Sequence, residues 1–392
     1  MTPRTTVTID MRSVLNNKIV RYTVIVLVVF VLIAIVGGGW YFSGVLEKDG
    51  LRVDHEPGEF RVKITDIGPD TITLRQIRGA EEEKNLSLSA IWGITDDDNY
   101  GQLGDVISEI DGLVTREFTL LEGELQVGSD VRFDRGSFPH DPYSAYGLDY
   151  QEEFFSAPLG ELGAWYLEAD SNTWAILVHG RTSNRNSSLK IIDDLERLNV
   201  HSLTIDYRND EDAPASESGY YEYGATEWED VESAVRLALD NGAEDIVLIG
   251  YSMGGGIVVN YQLKSELFGH TVGIVLDAPM LNFGRTIDKG AEERSVPAPI
   301  TFAAKLIAAA RFGIDWGAVD FLAQADELDI PILLFHGDED NTVPIETSNE
   351  FAIVLPGTVE MHTFKGAGHG QSWNLYRSEY ESTLADFIDR VR

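Results

Sequence analysis

The stretch Ile246-Val-Leu-Ile-Gly250-Tyr251-Ser252-Met253-Gly254-Gly255-Gly256 decides the fold. It opens as a short apolar, β-branched run of the kind buried on both faces of a parallel sheet. It then passes through Gly-x-Ser-x-Gly into apolar residues at helical spacing, from Ile257 through Tyr261 to Leu263. The pattern predicts a strand, a sharp turn and a helix. Such a turn strains the backbone at Ser252, and glycine is needed at 250 and 254 because a Cβ would strike the neighbouring strand or helix. The Ser252 hydroxyl then stands exposed at the strand's carboxyl end, with the Met253 amide pointing into the same space. A glycine-rich turn with a bystander serine would read the same way. What separates the two is whether the chain also supplies a base, an orienting acid and an oxyanion site.

Outward from this turn, strands and helices alternate. Strands are predicted at 174–178, 202–205, 272–276, 330–335 and 359–364, with helices at 188–198, 227–239, 346–354 and 372–391. Phe154-Phe155 and Ala164-Trp165-Tyr166-Leu167 suggest an opening antiparallel pair. Continuous apolar strands alternating with helices specify a mainly parallel sheet covered on both faces, and ligands bind such sheets at the strand carboxyl ends. The interruption at 279–329, with an Ala-rich helix at 301–312, is most simply a cap over that edge.

Two further strand ends carry chemistry. Strand 330–335 runs into His336-Gly337-Asp338-Glu339-Asp340-Asn341-Thr342-Val343-Pro344, and strand 359–364 into Lys365-Gly366-Ala367-Gly368-His369-Gly370. Ser252, an acid and an imidazole therefore share one sheet edge. His362 falls inside the last strand, where it is packed or surface-facing, whereas His369 lies on a loop able to swing over Ser252 and is the better base.

Together these segments resemble the α/β-hydrolases, in particular esterase- and lysophospholipase-like serine hydrolases. The resemblance covers about residues 150–392 and rests on Gly250-Tyr251-Ser252-Met253-Gly254, on His336-Gly337 with Asp340 and Val343-Pro344, and on Gly366-x-Gly368-His369, in that order. It implies Ser252 as nucleophile, Asp340 as the acid that orients the base, and His369 as the base. Asp338 and Glu339 match variable positions and read as surface charge. His179-Gly180 resembles the family's oxyanion loop, which implies an oxyanion hole from the backbone N–H groups of Met253 and Arg181. His179 itself would hold that loop in place. Arg181 departs from the pattern, being a long cation where the residue is often smaller or apolar, although only its amide is needed. Acyl transfer to Ser252 followed by release to water is the implied reaction, and it calls for neither metal nor cofactor.

Composition narrows the remaining options. The formal charge of −35 over 392 residues makes nucleic acid a poor partner, because neutralising phosphates needs lysine and arginine that are scarce here. The absence of cysteine excludes disulfides, thiolate metal sites, a catalytic thiol and a lipidated cysteine.

Residues 1–21 form a polar tail with Arg4, Arg12, Lys18 and Arg21 against Asp10, and residues 22–46 carry no charge. The apolar centre, 24–36, is long enough with its flanks to cross a bilayer core of ~30 Å as a helix of ~20 residues. Trp40 and Tyr41 sit where an interfacial aromatic belt would be. A cleaved secretory signal is the rival, but bulky Trp40-Tyr41-Phe42 follows the small Gly37-Gly38-Gly39, so an uncleaved signal-anchor is favoured. Cations before the span and acids after it predict a cytoplasmic amino terminus and an extracytoplasmic body.

Residues 47–149 read as β-rich, with a hairpin around Gly68-Pro69-Asp70 and further strands at 118–125 and 127–133. No catalytic motif occurs there, and a spacer or packing module is expected. The acidic loop Asp206-Tyr207-Arg208-Asn209-Asp210-Glu211-Asp212 reads as a solvated loop capping the next helix, with pocket-shaping or cation binding as alternatives. Trp373 reads as an anchor for the last helix. The leading expectation is a membrane-anchored extracytoplasmic hydrolase of carboxylic esters with a small-molecule or lipid-like substrate. A serine peptidase or acyltransferase of the same fold, and a non-catalytic surface binding protein, are the alternatives.

Overall fold

The computed structural model describes residues 18–392, so the predicted tail lies outside the described residues up to position 17. Helix α1 spans Lys18–Leu46 and ends in a π-helical turn, Glu47–Leu51. Strands β1 (Val62–Ile67), β2 (Thr71–Gln76), β3 (Trp92–Thr95), β4 (Tyr100–Ile110), β5 (Leu113–Glu122) and β6 (Asp130–Asp134) then close into a barrel in the order β1-β2-β5-β4-β3-β6. Every pairing in it is antiparallel, and β6 returns to β1 through Val62↔Val131. The hairpin expected at Gly68-Pro69-Asp70 is β1–β2. The strands expected at 118–125 and 127–133 overlap the second half of β5 and most of β6, whereas β4, which joins β5 through Asp111-Gly112 in a bulged ribbon, was not expected. Short helix α2 (Pro142–Tyr146) follows, with its first turn capped by Asp141, proline at its start and left-handed Gly147 at its end.

The second sheet has eight strands in the order β14-β13-β12-β11-β9-β10-β8-β7. Strands β7 (Gln151–Ala157) and β8 (Gly160–Leu167) form the antiparallel opening pair. The rest run parallel: β9 (Thr173–Val178), β10 (His201–Ile205), β11 (Asp245–Tyr251), β12 (Thr271–Asp277), β13 (Ile332–Gly337) and β14 (Val359–Phe364). Helices α3 (Leu189–Arg197), α4 (Trp228–Asp240), α5 (Met253–Lys264), α6 (Phe283–Glu293), α7 (Ala298–Phe312), α8 (Ile345–Val354) and α9 (Ser372–Val391) supply the crossovers and the insertion. Strands β9, β10 and β13 are buried at every position, which is why β9 and β13 are largely apolar without alternation, while β10 also buries His201, Ser202 and Thr204. The sheet core gathers Leu177, Ile249, Val275, Leu333 and Phe335 against Leu384, Phe387 and Ile388 of α9.

Contacts divide the chain into two compact units. One comprises Leu51–Gly290 with Asp315–Arg392, and the other the chain up to Gly50 with Ala291–Ile314. The insertion expected as a single cap is therefore split, because α7 belongs with α1. In that smaller unit α1 buries Gly39, Ser43 and Leu46, and α7 buries Thr301, Ala304 and Ala308. Both triplets fall on one helical face. A Cβ on Gly39 would come within 2.8 Å of the Ala303 Cβ, so glycine is what lets the two backbones approach.

Within the larger unit the barrel is sealed onto the sheet rather than hung from it as a spacer. Asn374 of α9 donates from its amide to the carbonyls of Ile91 and Arg135 and to Ser137 Oγ, at 2.7, 3.1 and 3.0 Å. Its own carbonyl accepts from the Ile91 amide at 3.1 Å. Trp373 is wholly buried beside Phe138, so it anchors the last helix as its position suggested.

Candidate active site

Strand β11 stops at Tyr251 and α5 starts at Met253, so one residue makes the turn between them. That residue, Ser252, has φ 51° and ψ −114°, a left-handed conformation that costs a non-glycine residue about 1–3 kcal/mol. The surroundings enforce it. Ser252 donates its amide to the Asp277 carbonyl at 2.9 Å, and its carbonyl accepts from Gly255 and Met280 at 3.0 and 2.9 Å. A Cβ on Gly254 would collide with the carbonyl oxygens of Val178 and His179, as the turn's sequence required.

Three strand ends meet above this turn. The Ser252 hydroxyl lies 2.8 Å from His369 Nε2, and His369 Nδ1 lies 2.7 Å from Asp340 Oδ2. Asp340 is almost fully buried, and its other oxygen accepts from the amides of Thr342 and Val343 at 2.7 and 2.8 Å. Burial alone would raise the Asp340 pKa. The hydrogen bonds and charge of His336 and His369 outweigh it and hold the carboxyl well below the usual range. An ionised carboxylate can only accept, so Nδ1 of His369 must donate to it, leaving Nε2 free to accept the serine proton. His336, buried at the end of β13, hydrogen-bonds Ser348 through Nδ1 at 2.8 Å and places Nε2 3.2 Å from Asp340 Oδ2. It stood in the quoted motif without a role, and its place beneath the acid is new. His362, by contrast, lies on β14 facing Glu360 at 3.0 Å, away from Ser252.

The loop after β9 lies against the same hydroxyl. A Cβ on Gly180 would sit 3.1 Å from Ser252 Cβ and 3.7 Å from its Oγ. The Gly180 carbonyl is drawn the other way, accepting from Tyr207 Oη at 3.2 Å and facing His179 Nδ1 at 2.9 Å. Since trans peptides point N–H opposite to C=O, the Arg181 amide turns away from those partners. The Arg181 guanidinium lies over the Tyr221 ring, 5.9 Å from its centre. His179 is buried, stacks on Tyr207 and contacts Asp210 Oδ2 at 2.8 Å. Burial lowers the pKa of this imidazole, but the Asp210 charge prevails and the net shift is upward.

This corrects the reading of the acidic loop as solvated. Tyr207, Arg208, Asn209 and Asp210 are all buried. Arg208 pairs with Asp230 in the first turn of α4 at 2.8 Å, and Asp210 braces the loop after β9 through His179. His179, Asp206 and Asp210 are close enough to surround a cation. Their polar atoms are instead taken up by one another, by Arg185 and by the Tyr207 amide. Sequence could have found Asp210 only by recognising that a buried His179 needs a partner on the adjacent strand end.

A cleft of about 570 Å³ opens at His369. The barrel supplies one wall, including Arg61, Asn85 and Arg135, and the loops after β13 and β14 the other, including Glu339 and Gln371. Gln371 also hydrogen-bonds Asn85 across it, at 3.1 Å. No residue of the β-rich region was expected at the site, because nothing in its sequence marks which loop faces the sheet edge.

The alpha/beta hydrolase family model matches residues 175–383, more than half of the chain and every strand end just described. The chain belongs to the alpha/beta hydrolase family. This hydrolase is 25% identical over 253 residues to the uncharacterized protein YqkD of Bacillus subtilis, covering 63% of the present chain and 78% of that one. It is 30% identical over 202 residues to human protein ABHD12B, covering 46% of this chain and 50% of the relative. Among solved structures, the Pyrococcus furiosus esterase Pf2001 superposes with a TM-score of 0.52 at 20% identity, over 65% of this chain and 95% of that one. At that identity the likeness concerns the fold.

Proposed function

We propose that this hydrolase cleaves carboxylic esters through an acyl-enzyme on Ser252, with His369 as base and Asp340 as the acid that orients it. The observation that carries the reading is the unbroken chain from Ser252 Oγ through His369 to Asp340, at 2.8 and 2.7 Å, on a backbone strained into place. In the first step Ser252 Oγ bonds to the ester carbonyl carbon while its proton passes to His369 Nε2. The Asp340 carboxylate stabilises the imidazolium that results. The carbonyl oxygen becomes an oxyanion between the amides of Met253 and Arg181, each worth about 3 kcal/mol on the usual mutational scale. Collapse breaks the bond to the alcohol, which leaves with the proton from His369. Water then repeats the sequence, giving its proton to His369, and the carboxylic acid is released from Ser252.

The same proposal places the enzyme at a membrane, held by α1, with its amino terminus cytoplasmic and its catalytic body outside. The support is that α1 exposes its apolar side chains around its whole circumference from Val24 to Ile33, which is stable in lipid and not in water. Cations precede the span and acids follow it.

A fluorophosphonate should label the wild-type enzyme, and Ser252→Ala should abolish both labelling and p-nitrophenyl ester turnover while leaving the melting temperature unchanged. A variant retaining more than a few per cent of the activity would assign the chemistry elsewhere. Faster turnover of aminoacyl-naphthylamides than of esters would make the enzyme a peptidase.

A further inference from the structure

Helix α7 presents an apolar stripe that its own compact unit does not cover. Phe302 and Leu306 are 63% and 56% exposed, and Ala310, one turn further along the same face, is exposed as well. The opposite face, through Thr301, Ala304 and Ala308, is buried. Exposed phenylalanine and leucine side by side on a helix need a cover.

The neighbour in the unit says what that cover is. Helix α7 packs on the last part of α1, where Gly38 meets Ile300 and Gly39 meets Ala303. A few residues earlier on α1, from Ile33 back to Val24, every large apolar side chain is exposed. At 1.5 Å per residue, Gly39 lies about 9 Å along the helix from Ile33. The stripe on α7 thus continues the bare apolar surface of α1. The polar edge of the unit is marked as well. The Arg311 guanidinium sits over the Trp40 ring at 4.2 Å and donates to Ser43 Oγ at 2.7 Å. Arg294 pairs with Asp49 at 3.1 Å beyond the end of α1. Tryptophan and arginine together occupy the level of lipid headgroups, where an apolar body and a polar tip are both satisfied.

We propose that α7 is a second membrane-contacting element, lying in the interfacial zone of a phospholipid bilayer beside α1 with Phe302, Leu306 and Ala310 against the acyl chains. The proposal rests on the reading of α1 as a membrane span. It makes the attachment composite: one helix crosses the bilayer, and a segment from the middle of the chain docks beside it at the surface. That segment is tied by the chain to the catalytic body at both of its ends, after Gly290 and before Asp315.

The absence of cysteine makes the test direct. Full-length Phe302→Cys, Leu306→Cys, Val29→Cys and Ile353→Cys variants are nitroxide-labelled and reconstituted in vesicles of phosphatidylcholine and phosphatidylglycerol. Accessibility to oxygen and to a water-soluble nickel chelate is then measured by electron paramagnetic resonance. Val29 reports the span, and Ile353, 77% exposed on α8, reports water. Relative to position 353, the oxygen-to-nickel ratio at 302 and 306 should rise about fivefold or more, as it does at 29, because the chelate is excluded from hydrocarbon. Ratios at 302 and 306 matching that at 353, with 29 in lipid, overturn the proposal and leave the anchor standing. Spectral broadening at 302 that vanishes on dilution with unlabelled chain identifies a second copy as the cover, which also overturns it. A water-like ratio at 29 refutes the anchor itself and removes the basis for both. Unchanged p-nitrophenyl acetate turnover in each labelled variant shows that the catalytic body is folded.

Discussion

Two buried polar centres in the larger unit invite comparison: the Ser252–His369–Asp340 chain at the sheet edge and Arg116 inside the barrel. Arg116 is fully buried, and all five of its N–H donors are used. They reach the carbonyls of Asn85, Leu86, Ala90 and, twice, Gly104, at 2.6 to 3.1 Å. It ties the long loop before β3 to the β4–β5 ribbon and has no valence left. At the sheet edge, Asp340 is also buried and hydrogen-bonded through both oxygens, yet the chain leading from it passes through His369, which lines an open cleft, to a half-buried hydroxyl held in a strained backbone. A saturated network fixes a shape. One that ends on a strained, reachable group can react.

The largest effect that would sharpen this contrast is at Asp340. Asp340→Asn preserves size and can keep the Thr342 and Val343 amides satisfied, but it no longer fixes the proton on Nδ1 of His369. Turnover of a soluble ester should fall by about 10³–10⁴-fold with little change in melting temperature. A loss below about tenfold would break the comparison by showing that the imidazole is oriented some other way. The depressed pKa also fixes a sign. The Asp340 contribution to stability is fully present above the ordinary carboxylate range and is lost only as pH falls through the depressed value. A fall of activity below about pH 6 would therefore not come from this carboxyl.

The opposite pattern is expected in the barrel. Arg116→Met removes five hydrogen bonds to four carbonyls at once and should cost about 3–5 kcal/mol in urea unfolding, with the folded fraction keeping its ester turnover. Burial lowers the guanidinium pKa to about 10, with the Asp105 charge opposing, so the side chain stays protonated at neutral pH. Destabilisation under about 1 kcal/mol would mean that water reaches those carbonyls and that the barrel is less closed than its hydrogen bonds imply.

The same contrast explains what could be read from the sequence. Strands β9 to β14 lie in a sheet covered on both faces, so most of them are unbroken apolar runs that end at glycine-rich turns. Ser252 was legible because it stands directly after such a run, and Asp340 and His369 because they lie on the loops that follow β13 and β14. In the barrel the β1–β2 hairpin and parts of β5 and β6 were legible, but β4, interrupted by Gly101 and Gly104, was not. Nothing in the sequence around Arg116 marks it as buried. The buried Tyr207-Arg208-Asn209-Asp210 loop was misread because charge suggests exposure, and its partners Asp230 and His179 come from other strand ends and helices. The docking of α7 on α1, more than 250 residues away in sequence, left only small residues as a trace.

Lys190 lies between these extremes and gives the smallest effect. Its ammonium is buried and donates to Asn374 Oδ1 at 2.8 Å and to the Gly370 carbonyl at 3.2 Å, next to His369. Desolvation lowers its pKa to about 8, with the nearby Asp277 charge only partly opposing. An unfolded lysine keeps its proton up to about pH 10.4, so between those values the unfolded chain holds more protons and rising pH favours the native state. Lys190→Met removes that dependence and adds a constant loss of two hydrogen bonds. The stability of the variant relative to wild type should therefore drop by roughly 2–3 kcal/mol as pH rises from 7.5 to 10.5, measured by urea unfolding at each pH. A difference that stays flat would show that Asn374 and Gly370 compensate the buried charge fully, placing Lys190 with Arg116 as a purely structural cation.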